Sequence, residues 1–190
     1  MHDYTSLQDP AIAKHLLEGG VGVVPTDTVY GVVAQATRPE AAARVYAVKV
    51  RDNKPGTVIA ADIDQLVDLG IKRRYLVPVA QYWPGAISVI IPCGPELGHL
   101  HLGLNSLAMR IPDDPALLEL LRTTGPLLTS SANLTGQPTS VNVQQAKDYF
   151  GDTVDFYVDG GDLSGRLPST LVRVLDDELE VLRQGSVVIK

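Results

Sequence analysis

Short apolar runs alternate with helix-patterned stretches along the whole chain, and none of the runs exceeds strand length. The longest, Ala86–Pro92, is far below the ~20 apolar residues that cross a bilayer. This alternation restricts the chain to an α/β arrangement in which buried strands carry the core and helices cover them. A length of 190 residues is expected to make one domain, spanning 1–190, with no linker or repeat to divide it.

Local signals place the elements. Asp9-Pro10 opens a helix over Ala11–Glu18, with a side-chain acceptor at the cap and proline in the first turn, and Gly19-Gly20 ends it. Val21–Val24 is continuously apolar and reads as a strand buried on both faces; Pro25 stops it. Val32–Ala36 is a second strand, followed after Pro39 by an alanine-rich helix to Val48. Thr57–Ala61 reads as a strand, Asp62–Leu69 as a helix, and Lys72–Tyr82 as a helix disturbed by Pro78. Ala86–Ile91 is a strand, Cys93–Asn105 a loop, Ser106–Ile111 a strand and Pro115–Arg122 a helix. Pro126–Thr129 is a strand and Asn142–Phe150 a helix; Val154–Val158, Thr170–Leu175 and Glu180–Arg183 are further strands. Hairpin-like spacing near the C-terminus points to a mixed sheet.

The net charge of −6 argues against general nucleic-acid binding, which draws its affinity from neutralising phosphates. It leaves room for a local cationic pocket. A single cysteine, Cys93, cannot form an internal disulfide, and Met1-His2-Asp3-Tyr4 has no signal-peptide pattern, so a cytoplasmic protein with no membrane association is expected.

Three polar segments are candidates for chemistry: Pro25–Gly31 (PTDTVYG), Lys49–Lys54 and Thr129–Asn133. Neither glycine-rich phosphate fingerprint occurs, so a phosphate site here has to use side-chain cations and hydroxyls. Lys49, Arg51 and Lys54 repel one another unless solvated or paired with an anion. A solvated helix end is the competing explanation, and their place between an apolar helix and a Pro-Gly turn favours the anion. Thr26, Asp27 and Thr28 also fit an ordinary turn, and Ser130, Ser131 and Asn133 a helix cap. Arg110 shares a strand face with Ala108, opposite Met109 and Ile111, and needs either an anion or an outward position. His99 and His101 have no carboxylates nearby and read as a solvated loop rather than a metal site, His2 and His15 carry no signal, and Cys93 reads as strand-end packing.

Seven motifs then fall in a familiar order: PTDTVYG, Lys-x-Arg at Lys49–Arg51, Trp83-Pro84-Gly85, Leu107–Pro112, Ser130–Pro138, Pro168–Val172 and Leu182–Gly185. In this the chain resembles the YrdC-like family, in its short form. The resemblance implies a twisted open mixed sheet with flanking helices and a concave ligand cleft. It implies an enzyme that joins L-threonine, bicarbonate and ATP into threonylcarbamoyl-adenylate and releases pyrophosphate. A partner complex then moves the threonylcarbamoyl group to adenosine 37 of tRNA.

By the same resemblance, Lys49, Arg51, Lys54, Ser106, Ser131, Asn133, Thr139 and Arg183 form the ATP side, with Lys49 and Arg51 as the catalytic pair. Thr28, Tyr30, Arg110, Thr129 and Ser169 form the threonine side, where Arg110 suits a carboxylate. Mg²⁺ is expected on the triphosphate, held by phosphate oxygens and water rather than by a protein site. The chain departs from the family pattern twice. Asp52 follows Arg51 where relatives carry proline, and Val58–Ala61 lacks a histidine that many relatives place there. The alternatives are a family member with a different carbamoyl-adenylate acceptor, and a weakly RNA-binding module.

Overall fold

The computed structural model describes residues 1–49, 54–175 and 178–189. In chain order the elements are β1 (His2–Tyr4), α1 (Pro10–Leu17), β2 (Gly22–Val24), β3 (Gly31–Gln35), α2 (Pro39–Val48), β4 (Thr57–Ile59), α3 (Ile63–Asp68), α4 (Arg73–Leu76) and β5 (Ile87–Pro92). They continue with α5 (Gly98–His101), β6 (Ser106–Arg110), α6 (Pro115–Thr124), β7 (Leu127–Ser131), α7 (Val143–Phe150), β8 (Phe156–Val158), β9 (Thr170–Leu175) and β10 (Glu178–Arg183). The strands form one sheet in the order β1-β8-β2-β3-β7-β4-β6-β5-β9-β10. Four neighbouring pairs are parallel (β1/β8, β2/β8, β4/β6, β5/β9) and the other five antiparallel, so the sheet is mixed, as expected.

The helix starts follow local chemistry. The Asp9, Asp62, Asp114 and Asn142 side chains each accept a backbone N–H in the first turn of α1, α3, α6 and α7. Proline opens α1, α2 and α6, where its missing N–H costs nothing. The sheet's central strands are buried on both sides. Val23, Val32, Val58 and Met109 lie in one cluster with α2; Val24, Val33, Ile59 and Leu127 lie in another with α1 and α6. Among the described residues, no helix is long and apolar enough to cross a membrane.

The structure corrects several local expectations. Pro78 changes the type of helix: α4 stops at Leu76, and Val77–Tyr82 continues as a 3₁₀ helix, because proline offers no N–H to the α ladder. The segment expected as a loop after Cys93 contains a 3₁₀ turn, Pro95–Leu97, and then α5, held because Leu97 and Leu100 are buried in the core. The two histidines there are structural. His99 Nε2 lies 2.9 Å from Ala36 O, while buried His101 accepts the Gly103 and Asn105 N–H groups at Nδ1. The N-terminal strand β1 gave no sequence signal. It pairs with β8, and Tyr4 and His15 pack on Phe156, so His15 has a packing role. Finally, β7 does not stop at Thr129 but runs to Ser131, paired with Gly31 of β3.

Candidate functional site

The PTDTVYG segment is the loop of the antiparallel β2–β3 hairpin, and Thr26 sets its shape. Its Oγ1 donates to Val29 O (2.7 Å) and accepts the Thr28 N–H (3.1 Å), a hydroxyl-closed turn. The turn expected as the ordinary alternative is therefore present, and it also faces a cavity. Tyr30, fully buried, donates from its hydroxyl to Gly161 O (2.8 Å) and accepts the Gly160 N–H (2.9 Å), tying the hairpin to the loop after β8. Burial pushes the Tyr30 hydroxyl pKa up; the Gly160 N–H opposes this and Asp159 and Asp162 add to it.

Strand parity brings four elements to the same space. Ser106, Ala108 and Arg110 of β6 face it, as do Ser88 and Ile90 of β5, Thr57 of β4 and residues of β7. Together with Thr28, Lys54, Ser169 and Arg183 they line a cavity of about 370 Å³, within the usual size range of small-molecule sites. Two glycines allow the close approach of its walls. A Cβ on Gly31 would sit 2.6 Å from Thr129 Oγ1, and one on Gly56 would sit 2.6 Å from Thr129 O.

Nine of the expected site residues line this cavity: Lys54, Ser106, Ser131, Arg183, Thr28, Tyr30, Arg110, Thr129 and Ser169. Lys49, Asn133 and Thr139 are not among its lining residues. Arg51 lies outside the described residues, as do Asp52 and the rest of 50–53. Lys49, the C-terminal cap of α2, is only 1% exposed. Its ammonium donates to the backbone carbonyls of Ser131 and Asn133 and to Asn133 Oδ1. Ser131 Oγ also donates to Asn133 Oδ1 (2.6 Å), and Asn133 Nδ2 donates to Leu134 O and Gln137 O. The Ser131–Asn133 segment thus wraps the lysine and closes the following turn, while Thr135 Oγ1 donates to Lys49 O (2.7 Å).

Arg110 does not take the outward position that its strand pattern allowed. It is 3% exposed, and its Nη1 donates to both oxygens of Asp27, 2.6 Å from Oδ2. Its Nε is buried with no partner among the described residues, and so is Ser130 Oγ. Two polar side chains that hold site residues in place escaped the sequence analysis. Asp27 was weighed only as a turn residue, because its partner lies 83 positions away. Ser88 hydrogen-bonds Ser169 (Oγ to Oγ, 2.8 Å), and Arg183 Nη2 donates to Ser169 O (2.9 Å). A serine interrupting the apolar Ala86–Pro92 run was the available signal. Val58, Ile59, Ala60 and Ala61, where many relatives carry a histidine, are all buried, and the cavity wall at β4 is Thr57.

Comparison with known proteins places the chain among relatives. A family model named Sua5_yciO_yrdC and described as "Telomere recombination" matches residues 14–185. A threonylcarbamoyl-AMP synthase of Bacillus subtilis is 34% identical over 97% of this chain and 56% of its own length, so the chain spans little more than half of that relative. A threonylcarbamoyl-AMP synthase of Pseudomonas aeruginosa is 34% identical over 90% of this chain and 94% of its own. The crystal structure of P. abyssi Sua5 complexed with L-threonine superposes with a TM-score of 0.85 at 24% identity, covering 97% of this chain and 57% of that one. With the family model matching most of the chain and these relatives about a third identical, the chain belongs to the Sua5/YciO/YrdC family.

Proposed function

We propose that this protein is an L-threonylcarbamoyladenylate synthase, making threonylcarbamoyl-AMP and pyrophosphate from L-threonine, bicarbonate and ATP. The observation that carries the reading is one cavity in which buried Arg110 shares walls with Lys54, Arg183, Ser106 and Ser131. A guanidinium suits a carboxylate, and the cations and hydroxyls suit a polyphosphate. The names of the relatives support the same activity.

In the proposed reaction, a carbamate oxygen formed from the threonine amine and carbon dioxide attacks the α-phosphorus of ATP. The bond from that phosphorus to the bridging oxygen breaks, and pyrophosphate leaves. Such a transfer depends on alignment and charge stabilisation rather than a side-chain nucleophile. Thr28, Tyr30, Arg110, Thr129 and Ser169 are assigned to threonine. Lys49, Arg51, Lys54, Ser106, Ser131, Asn133, Thr139 and Arg183 are assigned to ATP, with Lys49 and Arg51 stabilising the developing charge. For Lys49 this means exchanging a neutral carbonyl for an anionic phosphate oxygen, which makes a stronger charge-assisted bond. Among the described residues no group of three His, Cys, Asp or Glu is placed to hold a metal, and Mg²⁺ carried on the triphosphate with water ligands fits that donor set. The product would serve a tRNA threonylcarbamoyl-transfer system in the cytoplasm.

Pyrophosphate release tests the proposal. It should require threonine and bicarbonate together with ATP, and release that ignores threonine would refute it. Arg51→Ala should abolish release while leaving the circular dichroism spectrum unchanged.

A further inference from the structure

The Asp27–Arg110 pair has an asymmetry that the substrate assignment alone does not explain. Both carboxylate oxygens of Asp27 accept from one nitrogen, Nη1, and the pair is almost fully enclosed, with side chains 4% and 7% exposed for Arg110 and Asp27. Asp27 Oδ2 also accepts the Asp113 N–H (3.1 Å), so one carboxylate joins the β2–β3 hairpin loop to the segment after β6. The other side of the guanidinium differs: Nε is buried and has no partner among the described residues. A guanidinium is planar with donors in fixed directions, so securing one end orients the remaining side edge, formed by Nε and Nη2.

We infer that Asp27 is a positioning residue that anchors Arg110 through Nη1 so that its Nε–Nη2 edge receives the carboxylate of the amino-acid substrate. Asp27 itself touches no substrate. Its work is done beforehand, in two ways. It balances a buried charge that arginine cannot shed by deprotonation. It also removes the rotational freedom that a long side chain would otherwise lose on binding, so less ordering is left for the ligand to impose. The hairpin turn closed by Thr26 then has a function as well, because it delivers Asp27 to Arg110 and Thr28 to the cavity from the same loop.

This inference rests on the proposed threonine site, and the experiment separates the two. L-Threonine and ATP dissociation constants would be measured calorimetrically for the wild type and for Asp27→Asn, which keeps shape and removes charge. The threonine constant should rise about tenfold or more, as expected when a charge-assisted contact is misaligned, while the ATP constant stays unchanged. A purely structural role would weaken both ligands in parallel. In the wild type labelled with ¹⁵N-arginine, threonine should shift the Arg110 Nε–H resonance, assigned by its disappearance in Arg110→Lys. This second measurement needs no Asp27 variant, so it still tests whether the Nε edge meets the ligand if Asp27→Asn does not fold. Threonine binding to the wild type with an unmoved Nε–H signal would overturn the inference alone. So would a folded Asp27→Asn with wild-type threonine affinity or with parallel loss of ATP. A wild type that binds no threonine would overturn the functional reading and the inference with it.

Discussion

Arg110 and Lys49 are both buried cations, yet the fold holds them in opposite ways. Arg110 sits on a strand and is held by a carboxylate from a distant loop, with the pair 83 residues apart in sequence. Lys49 sits at a helix C-terminus, and among the described residues its ammonium donates to the backbone carbonyls of Ser131 and Asn133 and to Asn133 Oδ1. The difference follows from the donors. A guanidinium has five donors in a rigid plane and can be secured at one end while offering another. An ammonium has three rotatable donors, and three acceptors already surround this one. On the proposed assignment, the Arg110 side of the cleft is prepared in advance, whereas a phosphate reaching Lys49 has to replace a carbonyl.

That contrast can be broken most directly at Arg110. Arg110→Ala leaves the Asp27 carboxylate buried without its counter-charge, which costs about 3–5 kcal/mol in pairs of this kind. Chemical denaturation should report that loss. Asp27→Asn combined with Arg110→Met should restore most of the stability and none of the threonine binding. If the single variant is as stable as the wild type, the pair is not the buried unit described above.

Lys49→Met should have a smaller effect on stability and a clear one on activity. Ser131 O keeps the Asn133 N–H, so among the described residues only Asn133 O loses its donor, at about 1–3 kcal/mol, partly relieved if water enters. Pyrophosphate release should fall roughly 100-fold, of the order lost with a group that stabilises developing charge. Normal release would remove Lys49 from the phosphate side and leave it as a brace for the Ser131–Asn133 turn.

Ser88→Ala removes one buried hydroxyl bond to Ser169, worth about 1 kcal/mol. The threonine requirement of the reaction should rise with no change in the ATP requirement. An effect on ATP instead would move Ser169 to the other half of the cleft.

The smallest effect is expected outside the cleft. Burial pushes the Asp155 carboxyl up, but the Arg44 guanidinium (2.8 and 3.0 Å) and the Val21 N–H (2.7 Å) outweigh it, so its pKa is lowered. A carboxyl lowered on folding adds stability above its unfolded pKa of about 3.9, and that stability is lost as pH falls through the folded value. Arg44→Ala should therefore cost under about 1 kcal/mol at neutral pH, since the pair is partly exposed and screened. The gap from the wild type should close in acid. A gap that widened in acid would show that the surface pair behaves unlike the reading given for it.

Much of this protein could be read from neighbouring residues. Asp9-Pro10, Asp62 and Asn142 marked helix starts because a cap acts within three residues. Pro78 marked a disturbance for an equally local reason, and the family resemblance marked nine residues that the cavity brings together. Strand alternation left Arg110 two choices, an anion or an outward position, and the buried Asp27 pair decided between them. What was not legible depended on distant partners. β1 is a strand only because β8 offers it an edge, and α5 is a helix only because Leu97 and Leu100 find the core.

The sequence by itself determined the alternation of elements, the caps, and the kinds of side chain available for charge and hydrogen bonding, because these are set by local sterics and chemistry. Only the tertiary structure decided which anion Arg110 holds, that Lys49 is wrapped by the Ser131–Asn133 carbonyls, and that Ser88 reaches Ser169. Sheet order brings those partners together, and sheet order depends on which long-range pairings bury the most apolar surface with every backbone group satisfied.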